Sequence, residues 1–462
     1  MQIRTGTHSP RLYPGGVKLH TKILLFMALG VVVGLILQAT TDATYIKSSV
    51  SIISGEEYVR EVLDPSSQRA RWIAPFDMIA TIFMTLLKML IVPLILTSIV
   101  VGVASLGSGK DFGRLGAKTL GYYMTTSLLA IMTGLIVVNI LQPGVGANLG
   151  LQIPESFEPA SGSTFADILT RMVPANVFEA LTQNGQMLQI IVFALIFGFF
   201  VARTGEPHGK RVLDFFESAF QVMMKVADWV LSMIPYGVFA LMVKVVGETG
   251  LEPFKDLLFF MIVVAGTLSL HALVTLPLLL KFVGKISPAG WAKAMSPALM
   301  TAFSSSSSSM TLPVSMEAAE RRGGASNKTV SFVLPLGATI NMDGTALYEC
   351  VGVLFLAQYY ANASPAFDLT LGMQFFIVIT ALLASVGAAG IPSAGLVLKA
   401  MILKALGLPD DGVLLLLAID RPLDMMRTAV NVWSDSCGAA IIGKSEGDKI
   451  LAEPVPAGSA SP

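Results

Sequence analysis

Charge is scarce in this 462-residue chain: Asp, Glu, Lys and Arg make up 13% of it, hydrophobic residues 53%, and the formal net charge is +0. A nucleic-acid partner is thereby excluded, because binding one calls for a basic face. Cysteine is scarcer still. The only two, Cys350 and Cys437, both lie in apolar segments and read as small core residues, not as a disulfide or a metal set. The four histidines are scattered, and no His-Glu-x-x-His, nucleophile elbow or cysteine-based site occurs, so the chain is not read as an enzyme. His271 lies inside an apolar run and reads as a packing residue, not a proton relay. No small-residue cleavage site follows the first apolar segment, which is read as a retained helix.

What the chain has in abundance is apolar runs of about 20 residues, the length that crosses ~30 Å of hydrocarbon. The mean hydropathy is +0.70. Six spans are expected at Ile23–Leu37, Ile73–Leu106, Ala117–Leu141, Phe165–Val201 (interrupted at Pro174 and Asn184-Gly185-Gln186), Val212–Val246 and Leu257–Phe282. Cations alternate across them. Arg4, Arg11, Lys18 and Lys22 precede the first span, Lys110, Arg114 and Lys118 follow the second, Arg203, Lys210 and Arg211 the fourth, and Lys281, Lys285 and Lys293 the sixth. The intervening loops, such as Gly144–Ser163, are lean in them. Cytoplasmic loops carry the excess of Lys and Arg, which places the N-terminus in the cytoplasm of an integral plasma-membrane protein. Short loops and a lean N-terminus favour a bacterial inner membrane.

After the sixth span the simple pattern fails. Trp291–Arg322 has two helical pieces around the serine run Ser304–Ser309 and Met310-Thr311-Leu312-Pro313, and both its ends carry the marks of the cytoplasm. Leu369–Leu406 has two apolar halves around Ala384-Ser385-Val386-Gly387-Ala388-Ala389-Gly390-Ile391-Pro392-Ser393-Ala394-Gly395, with external-looking flanks. Each is expected to enter and return without crossing, and two such hairpins from opposite sides form an inverted repeat. Irregular backbone survives at membrane depth only beside protein or water, which sets such segments apart from ordinary linkers.

The seventh span, Val330–Gln358, contains Gly337-Ala338-Thr339-Ile340-Asn341-Met342-Asp343-Gly344-Thr345. Asn, Asp and Gly stabilise local turns better than mid-helix backbone, so an unwound turn is expected there. Its carbonyls beside the Asp343 carboxylate are hard oxygen ligands suited to sodium; the alternative is a kink that holds no ion. The last span holds Asp420-Arg421-Pro422-Leu423-Asp424-Met425-Met426-Arg427-Thr428-Ala429-Val430-Asn431-Val432-Trp433-Ser434-Asp435. Asp424, Arg427, Asn431 and Asp435 step by three and four and share one helical face. Each charge at membrane depth costs at least ~2.5–3.5 kcal/mol on insertion scales, so the stripe should face a ligand, a partner or water.

Taken in this order, the serine tip with Thr311-Leu312-Pro313, Asn341-Met342-Asp343-Gly344-Thr345, Gly390-Ile391-Pro392 and Asp424…Arg427-Thr428…Asn431…Asp435 resemble the glutamate/aspartate transporter family, the dicarboxylate/amino acid:cation symporters. The resemblance covers about Lys18–Lys444. It implies an all-α membrane fold of about eight transmembrane helices plus two re-entrant hairpins, and a homotrimer in membrane lipid working as an elevator. Residues 1–116 and 165–256 would be scaffold. The transport domain would take the third helix, within 117–164, and the core 257–448, leaving 449–462 as a cytoplasmic tail. The implied function is secondary active uptake of an acidic amino acid, aspartate or glutamate, coupled to Na+ with H+ as a further candidate.

Carried over by motif, Arg427 meets the substrate side-chain carboxylate and Asp424 its α-ammonium. Asn431, Thr428 and the tip residues Ser307, Ser308 and Ser309 hold the α-carboxylate, and Thr345 contacts the distal one. One sodium takes oxygens of Asp435, Asn431, Asn341 and Gly337. A second takes Thr339 with carbonyls at Ser385, Val386 and Ala388. A third takes Asp343, Asn341, Tyr123, Thr126 and Ser127. Glu349 is the candidate proton carrier, its alternative being a carboxylate held by a fixed polar partner. Many amino-acid members place a further arginine where this chain has Ser306 or Met425. Competing readings are a C4-dicarboxylate or neutral amino acid symporter of the same fold, and an anion-conducting channel. A dicarboxylate carrier has no use for Asp424, whose charge repels a second carboxylate, and a neutral amino acid needs no cation at Arg427.

Overall fold

The computed structural model describes residues 19–51, 57–104, 110–149, 151, 173–182, 187–363, 367–386, 394–409 and 412–451. It is almost wholly helical, with one addition. Between α1 (Leu19–Thr40) and α2 (Gln68–Ala104) runs an antiparallel hairpin of β1 (Tyr45–Ser51) and β2 (Glu57–Leu63), registered from Tyr45 opposite Leu63 to Ser51 opposite Glu57. Tyr45, Ile46, Val50, Tyr58, Val59 and Val62 are the aromatic and β-branched types that favour a pleated pair.

Next come α3 (Lys110–Leu141), α4 (Val177–Thr182) and α5 (Met187–Thr204). The expected break at Asn184-Gly185-Gln186 lies outside the described residues. The expected fifth span is two helices, α6 (His208–Leu231) and α7 (Ile234–Thr249), bent by 45°. Pro235 starts α7, and a proline has no N–H to continue the ladder of the helix before it. The sixth span comprises α8 (Glu252–Leu270), a π-helical turn at His271–Thr275 and α9 (Leu276–Phe282).

The first hairpin follows as α10 (Pro288–Ser305) and α11 (Ser308–Glu317), with a π-helical stretch at Ala318–Arg322. Its tip turns at Ser306, in left-handed conformation at φ 54°, and Ser307 Oγ accepts from Met310 N to cap α11. The seventh span is α12 (Asn327–Ile340) and α13 (Asp343–Ala363), unwound at Asn341-Met342 as its sequence predicts. The second hairpin has arms α14 (Leu371–Val386) and α15 (Ala394–Ala405), and α16 (Gly412–Ser445) ends the fold.

Among the described residues, the helices over Thr21–Thr40, Gln68–Ala104, Arg114–Leu141, Glu252–Phe282 and Asn327–Ala363 are long and apolar enough to cross a bilayer, and the bent α6–α7 pair adds a sixth. At 34 residues α16 is about 50 Å long, and its ionisable stripe alone makes it less apolar.

The helices pack as two groups. In one, α1 lies along α7, and α2 packs on α5, α6 and α7. Contact with α7 is close because a Cβ at Gly30 would lie 2.6 Å from the Phe239 carbonyl oxygen, and one at Gly34 would lie 2.7 Å from Val246 Cβ. In the other group α3, α10, α12 and α13 surround α16. Every residue of α13 from Asp343 to Tyr360 is buried, the polar Asp343, Thr345, Glu349 and Gln358 included. Cys350 and Cys437 are free and buried in this group, as expected. Where α16 ends, Glu446 accepts from Lys118 at 2.6 Å and from Arg114, tying the start of α3 to the last helix. The hydrogen bond from Lys118, with Arg114 adding to it, holds the Glu446 carboxyl below the usual carboxylate range.

Candidate functional site

The break between α12 and α13 leaves the first amides of α13 without partners of their own, and α16 supplies them. Asn431 Oδ1 accepts from Gly344 N at 2.8 Å and Thr345 N at 3.2 Å, while its Nδ2 donates to Thr345 Oγ1 at 3.1 Å. One side chain thus joins the unwound turn to the polar stripe. Asp424, Arg427, Asn431 and Asp435 are all buried, together with Thr428. The predicted stripe therefore faces inward.

On one side of Asn431, oxygen-bearing side chains of α3, the α12–α13 break, α13 and α16 meet. Ser127 Oγ of α3 donates to Asp343 Oδ1 at 2.6 Å and Ser434 Oγ of α16 to Oδ2 at 2.5 Å. Thr126 Oγ1 donates to Asn341 Oδ1 at 3.3 Å, and Asn341 Nδ2 donates to Asp435 Oδ1 at 2.9 Å and Ser434 Oγ at 3.0 Å. Tyr123 donates its hydroxyl to Val333 O at 2.6 Å. Gly337 is enclosed: a Cβ there would lie 2.5 Å from Asp435 Oδ1 and 2.7 Å from the Tyr123 hydroxyl. The candidate ligands Tyr123, Thr126, Ser127, Gly337, Asn341, Asp343 and Asp435 are thus brought together. Among the described residues no three His, Cys, Asp or Glu side chains converge as a metal group. Hydroxyls, amides, carbonyls and single carboxylates are hard donors, suited to sodium.

His271 enters this cluster, which its reading as a packing residue missed. Its Nε2 lies 3.3 Å from Asp343 Oδ2, while Nδ1 has no hydrogen-bond partner among the described residues. His271 opens the π-helical turn His271–Thr275 that follows α8.

The second expected sodium set is less assembled. Thr339 Oγ1 donates to Leu336 O at 3.0 Å and Ser385 Oγ to Leu382 O at 2.8 Å, each within its own helix, although α12 and α14 adjoin. Val386 ends α14, and Ala388 lies outside the described residues. At the serine tip Ser307 and Ser308 are buried and Ser309 is exposed, with α11 packed on α12 and α16.

On the other side of Asn431 lies a cluster of opposed charges. Asp424 is 0% exposed and accepts from Arg427 Nη2, with Arg421 Nη1 at 3.4 Å from its second oxygen. Arg427 is 3% exposed, yet its Nε and Nη1 have no hydrogen-bond partner among the described residues. Nη1 lies 4.0 Å from Glu349 Oε1. Glu349 in turn accepts from Lys399 Nζ of α15 at 3.4 Å, both side chains being fully buried. Lys399 sits 3.3 Å from the centroid of the Tyr348 ring, and the Tyr348 hydroxyl donates to Asp420 at 3.1 Å.

Glu349 therefore has an ionisable neighbour, Lys399, on the second hairpin. Lys399, Tyr348, Asp420, Arg421 and Ser434 were not singled out as site residues from sequence. The available signal was a lysine in the middle of an apolar hairpin arm, a charge too costly at that depth to lack a buried partner.

A profile of the sodium:dicarboxylate symporter family matches residues 19–445. The proton/sodium-glutamate symport protein of Geobacillus stearothermophilus is 36% identical over 381 residues, covering 80% of this chain and 87% of that protein. Its namesake in Bacillus subtilis (strain 168) is 34% identical, covering 80% of this chain and 86% of that one. Excitatory amino acid transporter 3 of Homo sapiens is 34% identical over 414 residues, covering 79% of this chain and 78% of its own length.

Proposed function

The chain belongs to the sodium:dicarboxylate symporter family, and from that premise we propose that it is an integral-membrane symporter that takes up aspartate or glutamate with sodium, Glu349 carrying a proton alongside. The observation that carries the substrate reading is the buried pair of Asp424 and Arg427 on one turn of α16, where two guanidinium nitrogens are left without hydrogen bonds. A guanidinium presents a planar fork to a carboxylate, and a neighbouring carboxylate suits an ammonium. An acidic amino acid brings both groups. A C4-dicarboxylate brings no cation for Asp424, and a neutral amino acid has no use for the free edge of Arg427.

In this reading Arg427 takes the side-chain carboxylate and Asp424 the α-ammonium. Asn431, Thr428, the Ser307–Ser309 tip and Thr345 hold the remaining oxygens. Sodium is cargo, held by Asp343, Asn341, Thr126, Ser127 and Tyr123, by Asp435 with Gly337 and Asn431, and by Thr339 with the second hairpin's tip. The division of packing supports an elevator, with α1, α2 and α4–α7 as the scaffold of a trimer and α3 with α8–α16 as the moving body. Lys and Arg placement supports a cytoplasmic N-terminus, and the short loops a bacterial inner membrane.

Purified protein in liposomes, offered labelled aspartate, glutamate and succinate under sodium, proton or potassium gradients imposed one at a time, tests this. Sodium-driven uptake of aspartate or glutamate above succinate is expected. Faster succinate uptake, or uptake indifferent to sodium, overturns it. For the proton role, Glu349→Gln is expected to lose the pH dependence of uptake, and an unchanged profile rejects it.

A further inference from the structure

We propose that Lys399 is the resident counter-charge of Glu349: it neutralises that carboxylate in the empty carrier and so allows the proton to leave with each substrate delivered. The inference rests on the reading of Glu349 as the proton carrier.

The argument begins with the buried charges around Arg427. Glu349, Asp420 and Asp424 face Lys399, Arg421 and Arg427, and all six are buried. With every group ionised the cluster is neutral. An acidic amino acid carries two carboxylates and one ammonium, so binding it adds one negative charge. A proton taken up by the Glu349 carboxylate cancels that charge. On the far side the substrate and the proton both depart, Glu349 becomes a carboxylate again, and the ammonium of Lys399 once more balances it. The cluster is neutral in both states that must cross the membrane.

Remove the ammonium and the balance changes in the empty state. A bare Glu349 carboxylate would then be buried with one cation too few, and unpaired charge in a low-dielectric interior is strongly disfavoured. The carboxyl would escape that penalty by keeping its proton throughout the cycle. Substrate binding would then leave the cluster one negative charge in excess, so exchange should be slower, and the proton would no longer travel with the substrate.

Geometry supports a fixed cation here. Besides Glu349, Lys399 Nζ is held by the Tyr348 ring and donates to Gly395 O at 3.3 Å, so it keeps partners when Glu349 is protonated. Gly395 seats the arm: a Cβ there would lie 2.2 Å from Arg427 Nη1 and 2.4 Å from Glu349 Oε1. The other charged and titratable groups facing Glu349 are Arg427 and, beyond Tyr348, Asp420. Along α13 itself its neighbour Cys350 is a thiol. The charged residues of α3 end at Lys118 and those of α8 at Asp256, and α14 has none.

The test uses liposomes enclosing a pH-sensitive dye, with sodium-driven uptake of labelled aspartate measured in parallel. Wild-type protein should acidify the lumen in proportion to uptake. Lys399→Met should retain aspartate exchange between loaded liposomes and medium while its protons per aspartate fall at least twofold. Lys399→Arg should keep the wild-type ratio. A Lys399→Met protein that moves as many protons per aspartate as wild type overturns the proposal. Should Lys399→Met be inactive, Lys399→Met/Glu349→Gln removes the unpaired carboxylate as well and should regain aspartate exchange; an inactive double variant also overturns it. Glu349→Gln alone separates the two readings. If it still acidifies the lumen, the carrier role of Glu349 fails; if it does not while Lys399→Met behaves as wild type, only the role of Lys399 fails.

Discussion

Replacing Asp424 by asparagine removes one negative charge from a fully buried position and leaves its size almost unchanged. In the folded protein a single carboxylate, Asp424, faces both Arg427 and Arg421. In the loaded protein it is assigned the substrate ammonium, a charge-assisted contact in a desolvated site. Truncating one partner of such a pair costs ~2–5 kcal/mol. Asparagine still offers a carbonyl oxygen, which keeps the loss near the lower end, ~2–3 kcal/mol, or roughly a 30- to 150-fold weaker apparent affinity for aspartate. Succinate should respond in the opposite direction. It has no ammonium to lose, the charge repelling its second carboxylate is gone, and two guanidinium groups are left with less compensation. Competition of unlabelled succinate against labelled aspartate, in liposomes containing wild type or Asp424→Asn, reads both changes at once. The assignment is wrong if aspartate affinity stays within about threefold of wild type and succinate gains nothing.

Ser127→Ala removes the 2.6 Å hydrogen bond to Asp343 and one candidate sodium oxygen. Hydrogen bonds to charged groups contribute ~1.5–3 kcal/mol, so the sodium concentration for half-maximal uptake should rise at least ~10-fold, with aspartate affinity at saturating sodium unchanged. Gly395→Ala forces a methyl against Arg427 and Glu349; uptake should be lost while membrane yield and thermal unfolding stay near wild type, and full activity would contradict the close seating of α15. At the cytoplasmic edge, Glu446 has its carboxyl held low by Lys118 and Arg114, so its contribution to stability is present above the ordinary carboxylate range and disappears as pH falls through its folded value. Glu446→Gln should therefore flatten the acid side of the unfolding-temperature profile and leave no pH-dependent difference from wild type once both are fully protonated.

Much of the fold was legible because its elements obey single-residue periodicities. The stripe at Asp424, Arg427, Asn431 and Asp435 had to face inward once the helix lay in hydrocarbon, and the break at Asn341-Met342 followed from residues that stabilise turns. The bend between α6 and α7 was missed although Pro235 announces it, because the apolar run continues unbroken across the proline. The β1–β2 pair was missed because attention to long apolar runs passes over a short alternation between two of them. In the site, the residues of the oxygen cluster were named only through motif carry-over, because its hydroxyl donors on α3 are distant in sequence from Asp343. Ser434 and His271 had no such guide. A serine beside an aspartate and a histidine in an apolar run are individually unremarkable, and only the packing of α8 and α16 on α13 brings them to one carboxylate.

Lys399 shows why charge must be followed through the fold and not along one helix. Read by motif, this chain is short of a cation, since Ser306 and Met425 stand where many amino-acid members carry an arginine. The structure has two further basic side chains in the buried cluster, Arg421 at Asp424 one turn before it and Lys399 at Glu349 on the opposing hairpin arm. The two are not equivalent. Arg421 shares α16 with Asp424 and Arg427, so its charge is present at those groups whatever the hairpins do. Lys399 reaches Glu349 from α15, and the pairing exists only while that arm is seated as closely as Gly395 allows. Arg427, on α16, faces Glu349 at 4.0 Å whatever the hairpins do. The share of stabilisation that Lys399 adds depends on the position of a separate element, and so links the ionisation of Glu349 to the seating of α15.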